Sequence, residues 1–181
     1  MEKTDYLNSP PDDIIGLILR THHIYVKTKL PEIFYLLKKN SYSAEIHIEI
    51  SKILPIFEDL KYELEMHLIK EEKMLFPYIL RMSACERNNQ IIESAPFGTI
   101  QNPITMMEAE HKNALSVFAK IRKISNNYRS KSNTTESNNL VYQELESFEK
   151  DLIEHIHIEN DILHPMAIEL ENKIKHKLFN N

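Results

Sequence analysis

One cysteine, Cys85, stands in 181 residues, with two glycines, three valines and no tryptophan. A single thiol excludes a disulfide framework within the chain and equally excludes a thiolate-built zinc or iron–sulfur site. So few glycines leave little room for a succession of tight turns, and so few valines speak against much sheet. No apolar run is long enough to cross a bilayer, and Met1-Glu2-Lys3-Thr4-Asp5 does not open like a signal peptide, so a soluble cytoplasmic protein is expected. Positive charge is also short: 22 basic residues against 27 acidic ones leave a net charge of −5, which offers nucleic acid no electrostatic invitation.

Lys, Glu, Leu and Ile dominate, and apolar residues return every three or four positions, as in amphipathic helices. The expected fold class is all-α, an up-down-up-down four-helix bundle with residues 1–181 as one domain, long enough to bury a core without staples. The first helix is expected from Pro11 to Lys39, with Pro10-Pro11-Asp12-Asp13 as an acidic, proline-tolerant start and Pro31 as a kink or register shift. The second begins between Ala44 and Ser51 and ends near Met82, with irregularities at Pro55 and Pro77. Residues 83–101, which include Cys85 and Pro96-Phe97-Gly98, read as a loop. Asn102-Pro103 reads as an N-cap and first helical residue opening a third helix to Ile124. Residues 125–139, a polar Ser/Asn/Thr stretch, are expected to be a mobile connection, and the fourth helix is expected from Leu140 to Lys175.

The chain also repeats itself. An offset of 88 residues carries His23 onto His111, His67 onto His155, Glu71 onto Glu159, Leu75 onto Leu163 and Pro77 onto Pro165. Only 9 of the 181 residues are histidine, so successive matches at one fixed shift are improbable by chance. Residues i and i+4 of a helix share a face, so His67 with Glu71, and His155 with Glu159, can each grip one metal ion. His23 and His111 would reach in from the preceding helix of each hairpin. The expectation is three protein ligands per metal and two metals in one pseudo-symmetric site. Imidazole and carboxylate without thiolate suit iron best among the abundant redox metals, and manganese and zinc are also compatible.

A lone His-x-x-x-Glu is usually an exposed pair worth roughly a few tenths of a kcal/mol. Here the pairs sit among Leu64, Leu68 and Leu75 in one half and Leu152, Ile156 and Leu163 in the other, where an unpaired carboxylate is costly and ligation explains it better. His22 adjoins His23, and only one of the two is expected to face the core; the repeat selects His23. His47 either supports a ligand or is merely polar. His157 is expected exposed, His164 packed because it matches Phe76 in the repeat, and His176 solvated in a lysine-rich tail. Glu63 and Asp151, another matched pair, either orient an imidazole, line a polar path to the metals, or flank them in solvent. Glu108 and Glu110 beside His111 carry the same open reading. Met106-Met107 and the Leu/Ile stripes read as ordinary core.

At these residues the chain resembles the hemerythrin-like di-iron proteins, and among them the repair-of-iron-centres family of iron–sulfur cluster repair proteins. The resembling stretches are Thr21-His22-His23-Ile24-Tyr25-Val26 with Leu30-Pro31, the segment His67 to Pro77, Gly98 to His111, and His155 to Pro165. The resemblance implies a four-helix bundle with a non-haem di-iron centre whose ligands, by motif position, are His23, His67, Glu71, His111, His155 and Glu159. The two glutamates would bridge two iron ions, with open positions for an oxo bridge and small ligands such as nitric oxide or dioxygen. The implied role is to restore iron–sulfur clusters damaged by nitric oxide or oxidative stress by supplying iron, with damaged iron–sulfur proteins as partners. Whether chemistry turns over is left open. Members of that family often carry a small N-terminal domain with a cysteine pair, which this sequence lacks. Some also have a histidine where this chain has Ser43, with His47 four residues further on.

Three other classes compete with repair. A hemerythrin-type dioxygen or nitric oxide binding protein or sensor would typically have a second histidine where Leu115 stands, and a fourth-helix histidine followed by aspartate rather than Glu159. A ferritin-like oxidase would use Glu-x-x-His pairs. A metal-free helical module leaves the repeat unexplained.

Overall fold

The computed structural model describes residues 9–41, 48–90, 92–93, 95–129 and 136–179. They form four helical rods, with no strand among the described residues. The first rod joins α1 (Pro11–Ile18) to α2 (Ile24–Ser41) through a π-helical turn at Leu19–His23. The second joins α3 (Ile48–Lys70) to α4 (Phe76–Arg87) through a π turn at Glu71–Leu75. The third is α5 (Gln101–Ile124), and the fourth joins α6 (Glu136–Ile158) to α7 (His164–Phe179) through a π turn at Glu159–Leu163.

Two apolar cores sit at opposite ends of the rods. One gathers Leu30, Ile33, Phe57, Leu64, Phe118 and Phe148. The other gathers Ile14, Ile18, Phe76, Ile79, Met107 and Leu163. The second core takes the start of the first and third rods and the end of the second and fourth, so chain direction alternates as in an up-down-up-down bundle. The first core holds an aromatic cluster in which Phe148 lies 5.8 Å from Phe118 and 6.3 Å from Phe57 between ring centres. The candidate metal residues all fall between the two cores.

Several expectations change in detail. Pro31 and Pro55 lie inside α2 and α3 without ending them. The irregularity expected at Pro77 is present in the turn just before it, and the matched Pro165 has its counterpart. Proline cannot donate an N–H to the turn behind it and its ring presses on that turn, which a local widening relieves. There the amide of Phe76 reaches back five residues to the Glu71 carbonyl, and that of His164 to the Glu159 carbonyl. The second rod runs on to Arg87, so Cys85 lies in a helix and not in the expected loop. Asp12 explains this: it accepts from the Arg87 guanidinium at 3.0 and 3.1 Å and from the Ser83 hydroxyl, tying α1 to α4.

Asn102 is not the N-cap of α5, which begins at Gln101; its amide donates instead to the Phe97 carbonyl at 2.8 Å. The cap comes from a distant helix. Glu171 of α7 accepts from the Ile100 amide at 3.0 Å and the Thr99 hydroxyl at 2.9 Å, placing a carboxylate on the positive end of α5. The polar connection is shorter than expected: α5 ends in a turn through Ser125 with Asn126, Asn127 and Tyr128 at positive φ, and α6 begins at Glu136. Residues 130–135 of that connection, like Ser43 and His47, lie outside the described residues.

Candidate metal centre

Six side chains from four rods meet between the cores. His23 closes the first π turn, His67 lies near the end of α3, His111 sits in the middle of α5, and His155 lies near the end of α6. Glu71 and Glu159 each open a π turn. The four histidines are buried and both glutamates are 0% exposed.

The grouping differs from the one expected. His23 does not share a group with His67 of its own hairpin. It joins His155, and His67 joins His111, with Glu71 and Glu159 common to both sets and the donor atoms of each set within 4.8 Å of one another. In an antiparallel bundle closed on itself, the rod flanking each histidine across the core belongs to the other half of the repeat, so each half-site is built across the duplication. The carboxylate oxygens divide accordingly. Glu71 places Oε1 3.1 Å from His67 Nε2 and Oε2 3.4 Å from His23 Nε2. Glu159 places Oε1 3.0 Å from His155 Nε2 and Oε2 3.1 Å from His111 Nε2. Each group therefore has four donors, two of them shared, and not three of its own.

These distances fit a cation better than a hydrogen-bond network. Two donors at right angles about an ion with bonds of ~2.1 Å stand ~3.0 Å apart. His67 Nε2 and His111 Nε2 are 3.0 Å apart, and with each Nδ1–H spent on an outer acceptor two neutral rings would meet there lone pair to lone pair, which an ion between them relieves. All four oxygens of Glu71 and Glu159, and the Nε2 atoms of His23 and His155, have no hydrogen-bond partner. Two fully buried carboxylates in one enclosure cost on the order of several kcal/mol each unless positive charge lies between them, which a cation supplies.

Behind three of the imidazoles stands an acceptor. His23 Nδ1–H donates to Glu72 at 2.8 Å, His67 Nδ1–H to Glu110 at 2.8 Å, and His111 Nδ1–H to the Asn160 side-chain oxygen at 2.9 Å. An acceptor at Nδ1 fixes the tautomer and leaves the Nε2 lone pair facing the centre. The charges answer one another. Burial pushes the His67 imidazole down, but Glu71 and the bond to Glu110 overcome it and raise it to about 10. His23 is raised in the same way, against burial, by Glu71 and Glu72. The bond from His67 holds Glu110 down at about 2, with Lys70 adding to it. Glu159 is held well below the usual carboxylate range: burial opposes, and His155 and His111 prevail. Without an ion, protons on His23 and His67 balance the two buried carboxylates, and a cation would displace them.

His22 corrects the expectation that only one of the adjacent pair can face inward. It is 6% exposed, its Nδ1–H donates to Asp151 at 2.9 Å, and its ring lies parallel to His155 with centres 5.3 Å apart. The π turn that ends at His23 widens the rod there and turns both neighbours into the bundle. His164 packs as expected, parallel to His111 with centres 6.3 Å apart, while its matched Phe76 lies 5.5 Å from His23. Burial lowers the His164 imidazole, and both its nitrogens lack a hydrogen-bond partner. Glu108 stands 3.5 Å from His164 Nδ1. His157 is exposed and paired with Asp161 at 2.6 Å, and His176 is exposed.

Of the open readings, Glu110 orients an imidazole and Asp151 orients His22. Glu63 accepts from Asn113 at 2.8 Å on the rim of a groove between α3 and α5. That groove encloses about 240 Å³ and reaches His67 and His111 from outside, past Tyr62, Met66 and Lys70. Of the Met106-Met107 pair expected in the core, Met107 is fully buried but Met106 is 40% exposed; Met66, on the groove, is 41% exposed. Glu72 and Asn160 were not anticipated. The repeat held the signal, since each follows a candidate carboxylate and the offset of 88 residues carries one onto the other.

Residues 17–167 match the hemerythrin HHE cation binding domain family. The iron-sulfur cluster repair protein YtfE of Edwardsiella ictaluri is 25% identical over 168 residues, covering 91% of this chain and 69% of that protein. The probable iron-sulfur cluster repair protein of Haemophilus influenzae is 28% identical, covering 91% of this chain and 68% of that protein. The iron-sulfur cluster repair protein DnrN of Neisseria gonorrhoeae is 29% identical over 148 residues, covering 81% of this chain and 84% of that protein.

Proposed function

Because this chain belongs to the hemerythrin HHE cation binding domain family, and so carries a metal-binding site, we propose that it repairs iron–sulfur clusters damaged by nitric oxide or oxidative stress. In this reading His23, His67, Glu71, His111, His155 and Glu159 hold two iron ions, and iron is the cargo given to the damaged cluster. Residues 1–181 act as one domain, since both apolar cores close around a single centre. The names of the relatives support repair as the role.

The observation that carries the reading is the division of each buried carboxylate between two histidine pairs, which suits two ions and leaves neither glutamate idle. The chain's own residues do the holding. Glu72, Glu110 and Asn160 fix three imidazole tautomers, and the apolar cores on either side exclude water from the ends of the centre. Donation of iron requires that holding be tight but not final, and a centre built wholly of nitrogen and oxygen donors suits that better than thiolates would.

The test mixes the iron-loaded protein with an iron–sulfur enzyme inactivated by nitric oxide. Recovery of enzyme activity with matching loss of iron from this chain is expected. A second reading, reversible binding of dioxygen or nitric oxide, draws on the groove that reaches His67 and His111. Stable reversible ligand binding with no recovery of the enzyme would favour that reading and overturn repair.

A further inference from the structure

The outer partners of the four imidazoles are related by the same repeat as the imidazoles themselves. Glu72 behind His23 maps onto Asn160 behind His111, so those positions are matched. Glu110 behind His67 maps onto position 22, and there the chain has His22. Where a carboxylate would accept the His155 Nδ1–H, an imidazole lies flat against the His155 ring instead. His22 spends its own Nδ1–H on Asp151. His155 Nδ1 is consequently buried without any hydrogen-bond partner.

We propose that the two half-sites hold metal unequally: the His67–His111 half-site fills first, and the His23–His155 half-site is the one that gives up its ion. His22 and Asp151 are positioning residues for His155. The stack fixes the plane of the ring without supplying the acceptor that makes an imidazole a stronger donor. Loss of one such partner typically weakens metal binding by about 10- to 100-fold. The remaining partners do not offset this. Glu72 behind His23 is shared with Lys27 at 2.6 and 2.8 Å, just as Glu110 is shared with Lys70, so neither carboxylate gives its half-site an advantage. Asn160 is then the extra partner on the His67–His111 side. A donor that releases one ion and keeps the other retains its folded centre between rounds of delivery.

The inference rests on the six side chains binding two ions, and the test separates the two claims. Cobalt(II) is titrated into the metal-free full-length chain and followed by its visible absorption. Two equivalents are expected in steps at least ~10-fold apart in affinity. His155→Ala should lose the weaker step and keep the tighter one, and His67→Ala should do the reverse. His22→Gln offers a carbonyl to His155 and an amide N–H to Asp151, and should tighten the weaker step. Glu110→Leu, which leaves His22 untouched, should loosen the tighter step and close the gap, with circular dichroism verifying the helices of every variant. Two equivalents with a single affinity, or loss of the tighter step in His155→Ala, would overturn the inequality while leaving the two-ion reading intact. No cobalt bound at all would overturn both.

Discussion

The His67–His111 and His23–His155 half-sites present the same donors to the centre and differ in what stands behind them. The first has Glu110 and Asn160 as acceptors, His164 alongside, and a groove to the outside. The second has Glu72 alone, with His22 stacked flat on His155 and Phe76 tilted against His23. The duplication is faithful where a side chain faces the centre and loose one layer out. Geometry accounts for the contrast. The inner donors must meet at one point, whereas an outer partner has only to orient a ring, which a carboxylate, an amide or a stacked imidazole can each do at different cost.

The largest break in the comparison comes from the residues both half-sites share. Glu159→Leu removes an oxygen from each and should lower iron content sharply in both; normal iron by metal analysis of the purified variant would refute its assignment. Next, Glu110→Leu and Glu72→Leu should each weaken one half-site by about 10- to 100-fold, the first acting on the tighter step and the second on the weaker, read by competition with a chelator. Asn160→Leu should have a smaller effect on the same step as Glu110→Leu, because a neutral amide polarises an imidazole less than a carboxylate does.

The smallest effect sharpens the comparison by leaving it untouched. Glu171 caps α5 far from either half-site, and its carboxyl is lowered below 4.5: burial opposes, and Lys175, the Ile100 amide and the Thr99 hydroxyl prevail. A carboxyl lowered in the folded state adds stability above its unfolded pKa and loses it as the pH falls through the folded value. Glu171→Gln should therefore cost about 1–2 kcal/mol at neutral pH by thermal or urea unfolding, with the gap to the parent closing in acid. Cobalt affinities at neutral pH should not change in that variant.

The four rods and the six facing residues were legible because both depend on spacing. Apolar residues every three or four positions mark a buried face, and His-x-x-x-Glu puts two donors on it. What spacing does not encode is which rods face each other across the core, and so His23 was expected beside His67 when it stands with His155. Nor does a uniform helical period anticipate π turns. Pro77 and Pro165 hint at two of them, but nothing comparable precedes the turn at Leu19–His23, and the burial of His22 was missed with it. Helix ends failed where a distant residue decides them: Glu171 supplies the start of α5 and Asp12 steadies the end of α4. The loose layer behind the imidazoles was half visible, since Glu72 and Asn160 answer to the repeat while His22 breaks it.

The central claim is that six side chains enclose two ions, one per histidine pair. Anomalous diffraction at the iron edge from iron-loaded crystals tests it most directly. Two peaks should appear inside the bundle, one beside His23 and His155 and one beside His67 and His111, each within bonding reach of both glutamates. An enclosure free of anomalous density in fully loaded protein, or iron held only elsewhere on the chain, would contradict it.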